Sequence, residues 1–354
     1  MSSRVIGFDP GTMFFQVAEM GKEGEIKLKT MRNSFVELQN YNTQDLEEIL
    51  KQNKWQYVFD GKNYYVIGED SLSVSLIFPN IELRRPMQDG VLNKGENKKM
   101  LVMAKMIEDL IGGKSSDDLS LVCFCTSGES IDNNVDDKFH KSRLKGMFER
   151  LGWNTERIDE GLAVVLSERP VMEEKNGEKI PYTGIGISFG SGKVNAVLAY
   201  KGLPIISISS TRAGDYIDKK VAENTDMSIS QITHIKENKL DFSNIDDDDD
   251  VIFCLDVYYK NLIEYTFLNL NKRFKEVKSQ FSGPIDIVIA GGTASPPHFC
   301  DKVKSVVNEL DLPFEIRELR VSKDPRNAVV KGLLTQAIIS QKRLNNKKID
   351  KMLD

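Results

Sequence analysis

"GFDPGT", Gly7 to Thr12, has a near copy far down the chain, "GISFGS", Gly186 to Ser191. Laid one on the other, they pair Gly7 with Gly186, Asp9 with Ser188, Gly11 with Gly190 and Thr12 with Ser191. Around each turn the residues are apolar β-formers, so "RVIGFDPGTMFFQVAEMG" and "GIGISFGSGKVNAVLAY" both read as strand, tight turn, strand, the glycine supplying a positive φ if the turn needs one. A third strand is expected after each, in "EIKLKTM" and "LPIISIS". The same order opening both halves reads as a duplicated domain. The second copy lacks the carboxylate.

The 354 residues suffice for two domain-sized cores, and 40% hydrophobic with 29% charged residues is globular composition. A formal charge of −5 gives no overall pull toward nucleic acid, and no direct nucleic-acid binding is expected. Cys123, Cys125, Cys254 and Cys300 lack paired CxxC spacing and there are three histidines, which argues against zinc and fits free thiols in a reducing compartment. "MSSRVIGFD" shows no charged-then-apolar leader, and no apolar run approaches the roughly 20 residues of a membrane span. A cytoplasmic protein without a membrane span is expected.

Between the hairpins the texture varies. From about residue 34 to 87 a polar stretch, a short helix "DLEEILKQN" and a hairpin turning at Asp60-Gly61 suggest a small inserted subdomain. "MLVMAKMIEDLIG" has helical spacing, "LSLVCFCTSG" reads as a buried strand, and "DDKFHKSRLKGMFERLG" as a helix closed by Gly152. "EEKNGEKIPYTG" reads as a polar linker. "DYIDKKVAENT" and "ISQITHIKENKL" are helical, Asp246 to Asp250 is a solvated loop without EF-hand spacing, and "VYYKNLIEYTFLNLNKRFKEV" is a long amphipathic helix. "PIDIVIAGGTASP" is a buried strand ending in a glycine turn, followed by a late helix "RNAVVKGLLTQAII".

Gly–hydroxyl turns at strand ends gather backbone N–H groups that bind phosphate oxygens, and a carboxylate beside them can hold a hydrated magnesium ion. "GSGK", Gly190 to Lys193, is not a P-loop, because the upstream glycine is missing and Val194 stands where Ser or Thr is required. No G-x-G-x-x-G opens a helix after a strand. A single glycine hairpin is usually only a hairpin; two matched copies together with "AGGTAS", Ala290 to Ser295, point to a phosphate site.

With these residues in view, the chain resembles the actin-like ATPase superfamily. "DPGT", "SFGSG", "AGDYID" and "IAGGTAS" occur in the family's order. "RRPMQDGVLNKGE", "RIDEGLAVVLSE", "TRAGDYIDK", "ITHIKENKL" and "DPRNAVVKGLL" resemble segments of the bacterial actin branch, with MreB and ParM among its filament proteins. The resemblance implies an α/β, actin-like fold: two duplicated α/β domains around a nucleotide cleft, each with a smaller inserted subdomain. Domain I would be 1–150, with an insert at about 34–87 and a helix at about 326–350 returning to it. Domain II would be 151–325, with an insert at about 209–283. It implies ATP (or GTP) with Mg²⁺. Asp9 would hold the metal; Asp9, Gly11, Thr12 and Gln16 would make one phosphate loop, and Gly190, Ser191 and Gly192 the other. Gly214, Asp215, Lys236 and Glu237 would face the adenosine, and Gly291, Gly292 and Thr293 would close around the α-phosphate and ribose.

The departures concern hydrolysis. Ser188 stands where the family usually has an aspartate, His140 falls near the place of a water-positioning glutamate, and Asp159 to Gly161 read "DEG" in place of "EEP". At most a slow ATPase is expected, with His140 and Ser188 as the catalytic positions. Self-association into filaments is the partner expected, with an adaptor protein or cargo complex besides. The alternatives are a non-polymerising adaptor or regulatory ATPase resembling FtsA or PilM, and a small-molecule kinase. The tail Gln341 to Asp354 reads as a solvated, largely basic helix.

Overall fold

Gly11 and Gly190 are required by crowding. A Cβ on Gly11 would lie 2.5 Å from the Phe14 carbonyl oxygen, and one on Gly190 would lie 2.8 Å from that of Lys193. Neither glycine has a positive φ, so the turns need space where the sequence suggested unusual dihedrals. The same clash at equivalent positions is the first structural sign of the repeat.

The structure is a computed structural model that describes residues 3–38, 43–78, 81–93, 95–96, 100–115, 117–132, 137–168, 171–173, 179–277 and 284–353. The chain divides into two compact units: Met1–Phe124 with Asp136–Glu156 and Ala337–Asp354, and Cys125–Val135 with Arg157–Gln336.

The first unit opens with β1 (Val5–Pro10), β2 (Phe14–Met20) and β3 (Ile26–Arg32). After them come β4 (Phe35–Leu38), α1 (Thr43–Gln52), β5 (Tyr57–Phe59), β6 (Tyr64–Ile67) and α2 (Glu69–Ile77). The strands form a small sheet in the order β4-β6-β5 over a core of its own, built from Val36, Leu50, Tyr64, Val66 and Val74. The sequence reading missed β4, which lies in its polar stretch, and α2. β7 (Met87–Gln88), β8 (Val91–Leu92), α3 (Met100–Ile111) and β9 (Leu121–Thr126) follow. Next come β10 (Glu129–Ser130), which belongs to the second unit, α4 (Asp137–Arg150) and β11 (Asn154–Asp159).

The rest comprises α5 (Glu160–Glu168), β12 (Val171–Glu173), β13 (Lys179–Pro181), β14 (Gly184–Phe189), β15 (Val194–Tyr200) and β16 (Leu203–Ser210). α6 (Gly214–Asn224), α7 (Ile229–Asn238), α8 (Asp250–Val277), β17 (Ile285–Ala290), α9 (Phe299–Asn308), β18 (Ile316–Val321) and α10 (Ala328–Leu353) complete it. The segment expected as a linker is partly a hairpin: β12 and β13 pair antiparallel, and residues 174–178 between them lie outside the described residues. The long helix starts before Val257, at Asp250, because Asp249 caps it by accepting from the Val251 and Ile252 N–H groups.

The duplication is visible in the sheets. One runs β3-β2-β1-β9-β11 and the other β16-β15-β14-β17-β18, with the short β10 added beside β16. In both, the glycine-hairpin strands pair antiparallel, and the first of them pairs parallel with a buried strand from later in the chain, β1 with β9 and β14 with β17. β9, β14 and β17 are buried at every position, as strands covered on both faces are. α10 carries on through the tail as one helix, where Gln341 donates to the Ser3 hydroxyl and the Leu119 carbonyl.

Candidate functional site

In the second unit the site grows from the turn after β14. The Gly190 carbonyl accepts two bonds, from the Gly214 N–H at 3.1 Å and the Thr293 hydroxyl at 2.9 Å, and the Ser191 carbonyl accepts the Asp215 N–H at 2.8 Å. The hairpin is thereby fastened to the first turn of α6 and to the short 3-10 turn Gly292–Ala294. Gly214 is the crossing point: a Cβ there would lie 2.5 Å from the Thr293 hydroxyl and 3.3 Å from both Lys236 Nζ and Ser191 Cα. Tyr259 on α8 supports the 3-10 turn by donating to the Thr293 carbonyl.

Gly291 has φ 100°, and a Cβ on it would run into the Phe189 backbone. Its N–H donates to the Pro325 carbonyl at 2.8 Å, which brings the "DPRN" loop alongside. Gly292 is the opposite case: it is exposed, and a Cβ there would meet nothing within 4 Å. An exposed glycine beside Gly–hydroxyl turns leaves room for a phosphate to approach the backbone, so these residues fit a nucleotide.

Lys236 and Glu237, the pair expected to face the adenosine, differ in exposure. Lys236 is buried, with Nζ 3.2 Å from the Gly214 carbonyl and 2.7 Å from the Asp218 carboxylate; Glu237 is exposed. Burial pushes the Asp218 carboxyl up, against the pull of Lys236 and the bond from Thr233. Asp215 lies half-buried in the first turn of α6.

In the first unit, Asp9 and Gln16 are cross-strand neighbours on β1 and β2, both half-buried. Thr12 is buried and its hydroxyl accepts the Gly90 N–H at 3.0 Å, while Asn33 donates to the Gly11 carbonyl at 2.9 Å. His140 lies buried on α4.

Sequence reasoning missed the residues around Ser188. That serine is buried, with Asn195 across from it on β15 and Ala290 on β17. Asn195 donates to the Glu160 carboxylate at 2.8 Å, at the start of α5. Lys193 is only 4% exposed. The one signal for it was "GSGK", a motif set aside because it failed as a P-loop. Among the described residues no group of three or more His, Cys, Asp or Glu could hold a metal. Magnesium takes oxygen ligands and keeps several waters. Around the second hairpin the structure offers a hydroxyl at Ser188, the Glu160 carboxylate held by Asn195 and a buried ammonium at Lys193.

The Volactin family model matches residues 4–337. The chain belongs to the Volactin family. No curated protein matches it by sequence. Solved structures show the fold to be actin-like. A MamK double helical filament is 16% identical with TM-score 0.66, covering 95% of this chain and 99% of that one. MreB5 of Spiroplasma citri bound to ADP is 13% identical with TM-score 0.63, covering 98% and 99%. The ethanolamine utilization protein EutJ from Carboxydothermus hydrogenoformans is 12% identical with TM-score 0.51, covering 95% and 90%. Among the described residues of this Volactin-family chain, no helix is long and apolar enough to cross a membrane.

Proposed function

We propose that this Volactin-family protein binds ATP or GTP and assembles into filaments as a nucleotide-dependent cytoskeletal protein. The observation that carries the reading is the convergence of the Gly190–Gly192 hairpin, the first turn of α6, Lys236 and the Gly291–Thr293 turn, with Gly292 left exposed beside them. Two likenesses support it: a MamK structure is described as a double helical filament, and MreB5 has been solved bound to ADP and to AMPPNP. The Asp9–Thr12 hairpin provides a second phosphate loop of the same make. Hydrolysis is slow, because Ser188 is buried and carries no negative charge with which to orient an attacking water.

Titration calorimetry with ATP tests the site. Gly292→Val places a branched side chain in the open space, and the affinity falls at least about tenfold, the size of a lost well-made polar contact. An unchanged affinity removes the nucleotide from this turn.

A further inference from the structure

We propose that the outer edge of β3 accepts an acidic, extended segment of a partner protein as an added strand. The inference stands apart from the nucleotide site and from filament formation.

The ladder between β2 and β3 fixes which main-chain groups of β3 point outward. The Gly21 N–H donates to the Glu25 carbonyl at 2.7 Å and the Asn33 N–H to the Met13 carbonyl at 2.8 Å, at the two ends of one register. Bonded and non-bonded pairs alternate in an antiparallel ladder, so between those ends Lys27, Lys29 and Met31 bond toward β2. Ile26, Leu28 and Thr30 turn their N–H and C=O groups to the other side. There β3 is the last strand of its sheet, and among the described residues nothing pairs with these three. Every position from Ile26 to Thr30 is exposed. The matched strand of the second sheet, β16, is covered: β10 lies beside it, and the Ile131 N–H carries the contact on to the Ser209 carbonyl at 2.9 Å. That cover is a short acidic stretch, "ESID", Glu129 to Asp132. The repeat shows how such an edge is filled, and leaves the β3 edge open.

The side chains decide what fits it. An open edge invites a second copy of the chain, and lysines are a common guard against that. Lys27 and Lys29 share one face of β3, so an antiparallel pair of β3 strands from two copies would set lysine against lysine, which is destabilising. The same lysines favour carboxylates. Lys29 has no ion pair among the described residues, and Lys27 meets Glu25 at 3.2 Å with both side chains exposed, where such a pair is weak. Glu19, across from Lys27 on β2, is already held by Arg4 at 2.8 Å. On the opposite face Ile26 stands beside Met20 of β2, with Leu28 next along the strand, and the three are 45%, 41% and 38% exposed. A guard against pairing needs no apolar stripe behind it. A strand with carboxylates on the lysine side and apolar residues between them pairs with both lysines and covers the stripe.

The test is fluorescence anisotropy with the full chain at about 0.15 M salt, the probe a labelled peptide of alternating glutamate and valine as long as β3. The wild type binds it, and hydrogen exchange then slows at Ile26, Leu28 and Thr30. Lys27→Glu combined with Lys29→Glu loses at least about tenfold and gains the matching lysine–valine peptide. Leu28→Pro removes one outward N–H, spares the bonds to β2, and loses about tenfold as well. Thermal melts establish that each variant folds; if Leu28→Pro does not, a probe N-methylated along its backbone replaces it and must fail to bind the wild type. A probe that binds Leu28→Pro as tightly as the wild type, or that leaves the three amides exchanging freely, overturns strand addition in favour of loose charge attraction. A wild type that does not bind the probe overturns the proposal. So does a chain that dimerises through this edge unaided, with the three amides already slow, since the occupant is then a second copy.

Discussion

Asp218 shows how one side chain comes to depend on another 18 residues away. It is 1% exposed, and burial alone drives a carboxyl toward its neutral form. Lys236 answers it at 2.7 Å and also reaches the Gly214 carbonyl, so the pair ties α7 to the turn that carries the site. Removing one partner of a buried pair leaves an uncompensated charge, a loss of about 3 kcal/mol or more. Asp218→Ala is therefore expected to lower stability by that amount in urea unfolding and to weaken ATP binding, since Lys236 no longer has an anchor. Replacing both with methionine and leucine is expected to recover much of the stability and none of the binding. A single variant as stable as the wild type would show that the pair is idle. The sequence identified Lys236 through its helix but not its partner, because Asp218 sits on α6 and the two meet only when α6 and α7 pack. Gly190, Gly214 and Gly291 were legible from residue type alone, since each fills a place where a Cβ would collide with a neighbour.

At the scale of elements, α5 shows how closely a helix and a strand can meet. Near its start, Gly161 lies against Gly186 of β14, where a Cβ on Gly161 would fall 2.8 Å from the Gly186 carbonyl oxygen and one on Gly186 would overlap the Gly161 carbonyl. Helix backbone and strand backbone touch without a side chain between them. From the far side Gly332 of α10 does the same at Ala163. Gly186→Ala must lift the helix or bend the strand, and overpacking of this kind costs about 2 kcal/mol, readable as a lower urea midpoint. At the other end Glu168 bonds the Ser322 hydroxyl at 2.6 Å and the Arg320 guanidinium at 2.7 Å. Burial raises the Glu168 carboxyl, but these bonds outweigh it and hold the group below its ordinary value of 4.5. A carboxyl depressed in the folded state contributes stability above the unfolded value, and that contribution disappears as pH falls through the folded one. Glu168→Gln should therefore be less stable than the wild type at pH 7, with the gap closing below about pH 4.5 as protonation removes the same charge. A gap that is constant with pH would mean that the ion pair contributes nothing. Helices with clear periodicity, such as α3 and α8, could be read from sequence. α2 could not, since "EDSLSVSLI" leaves Leu76 and Ile77 exposed and shows no apolar stripe, and β4 has too few residues for alternation to show before β6 pairs with it.

For the whole molecule, the repeat decides what can be predicted. Both sheets are built from the same hairpin, the same parallel neighbour and the same outer strand, so each unit carries the same glycine turn in its central strands. That much was legible from two six-residue stretches, because a strand–glycine–strand pattern constrains the backbone strongly. The third sheet, β4-β6-β5, is confined to the first unit, and it brings exposed apolar side chains with it: Ile49, Phe59, Leu76, Ile77 and Phe78. Leu76 and Ile77 are 76% and 62% exposed, unusual for adjacent large aliphatic residues, and apolar groups left in water favour association with another copy of the chain. If filaments form through such surfaces under nucleotide control, three results follow in a sedimentation assay at micromolar protein. The wild type pellets with a slowly hydrolysed ATP analogue and stays soluble without nucleotide. Gly292→Val stays soluble in both, since it has lost the ligand. Leu76→Ser with Ile77→Ser binds ATP as the wild type does yet fails to pellet, because only the contact between copies has been removed. Pelleting by the double serine variant would place that contact elsewhere, and a wild type that remains monomeric with every nucleotide would end the filament reading while leaving the ATP site to be judged on its own.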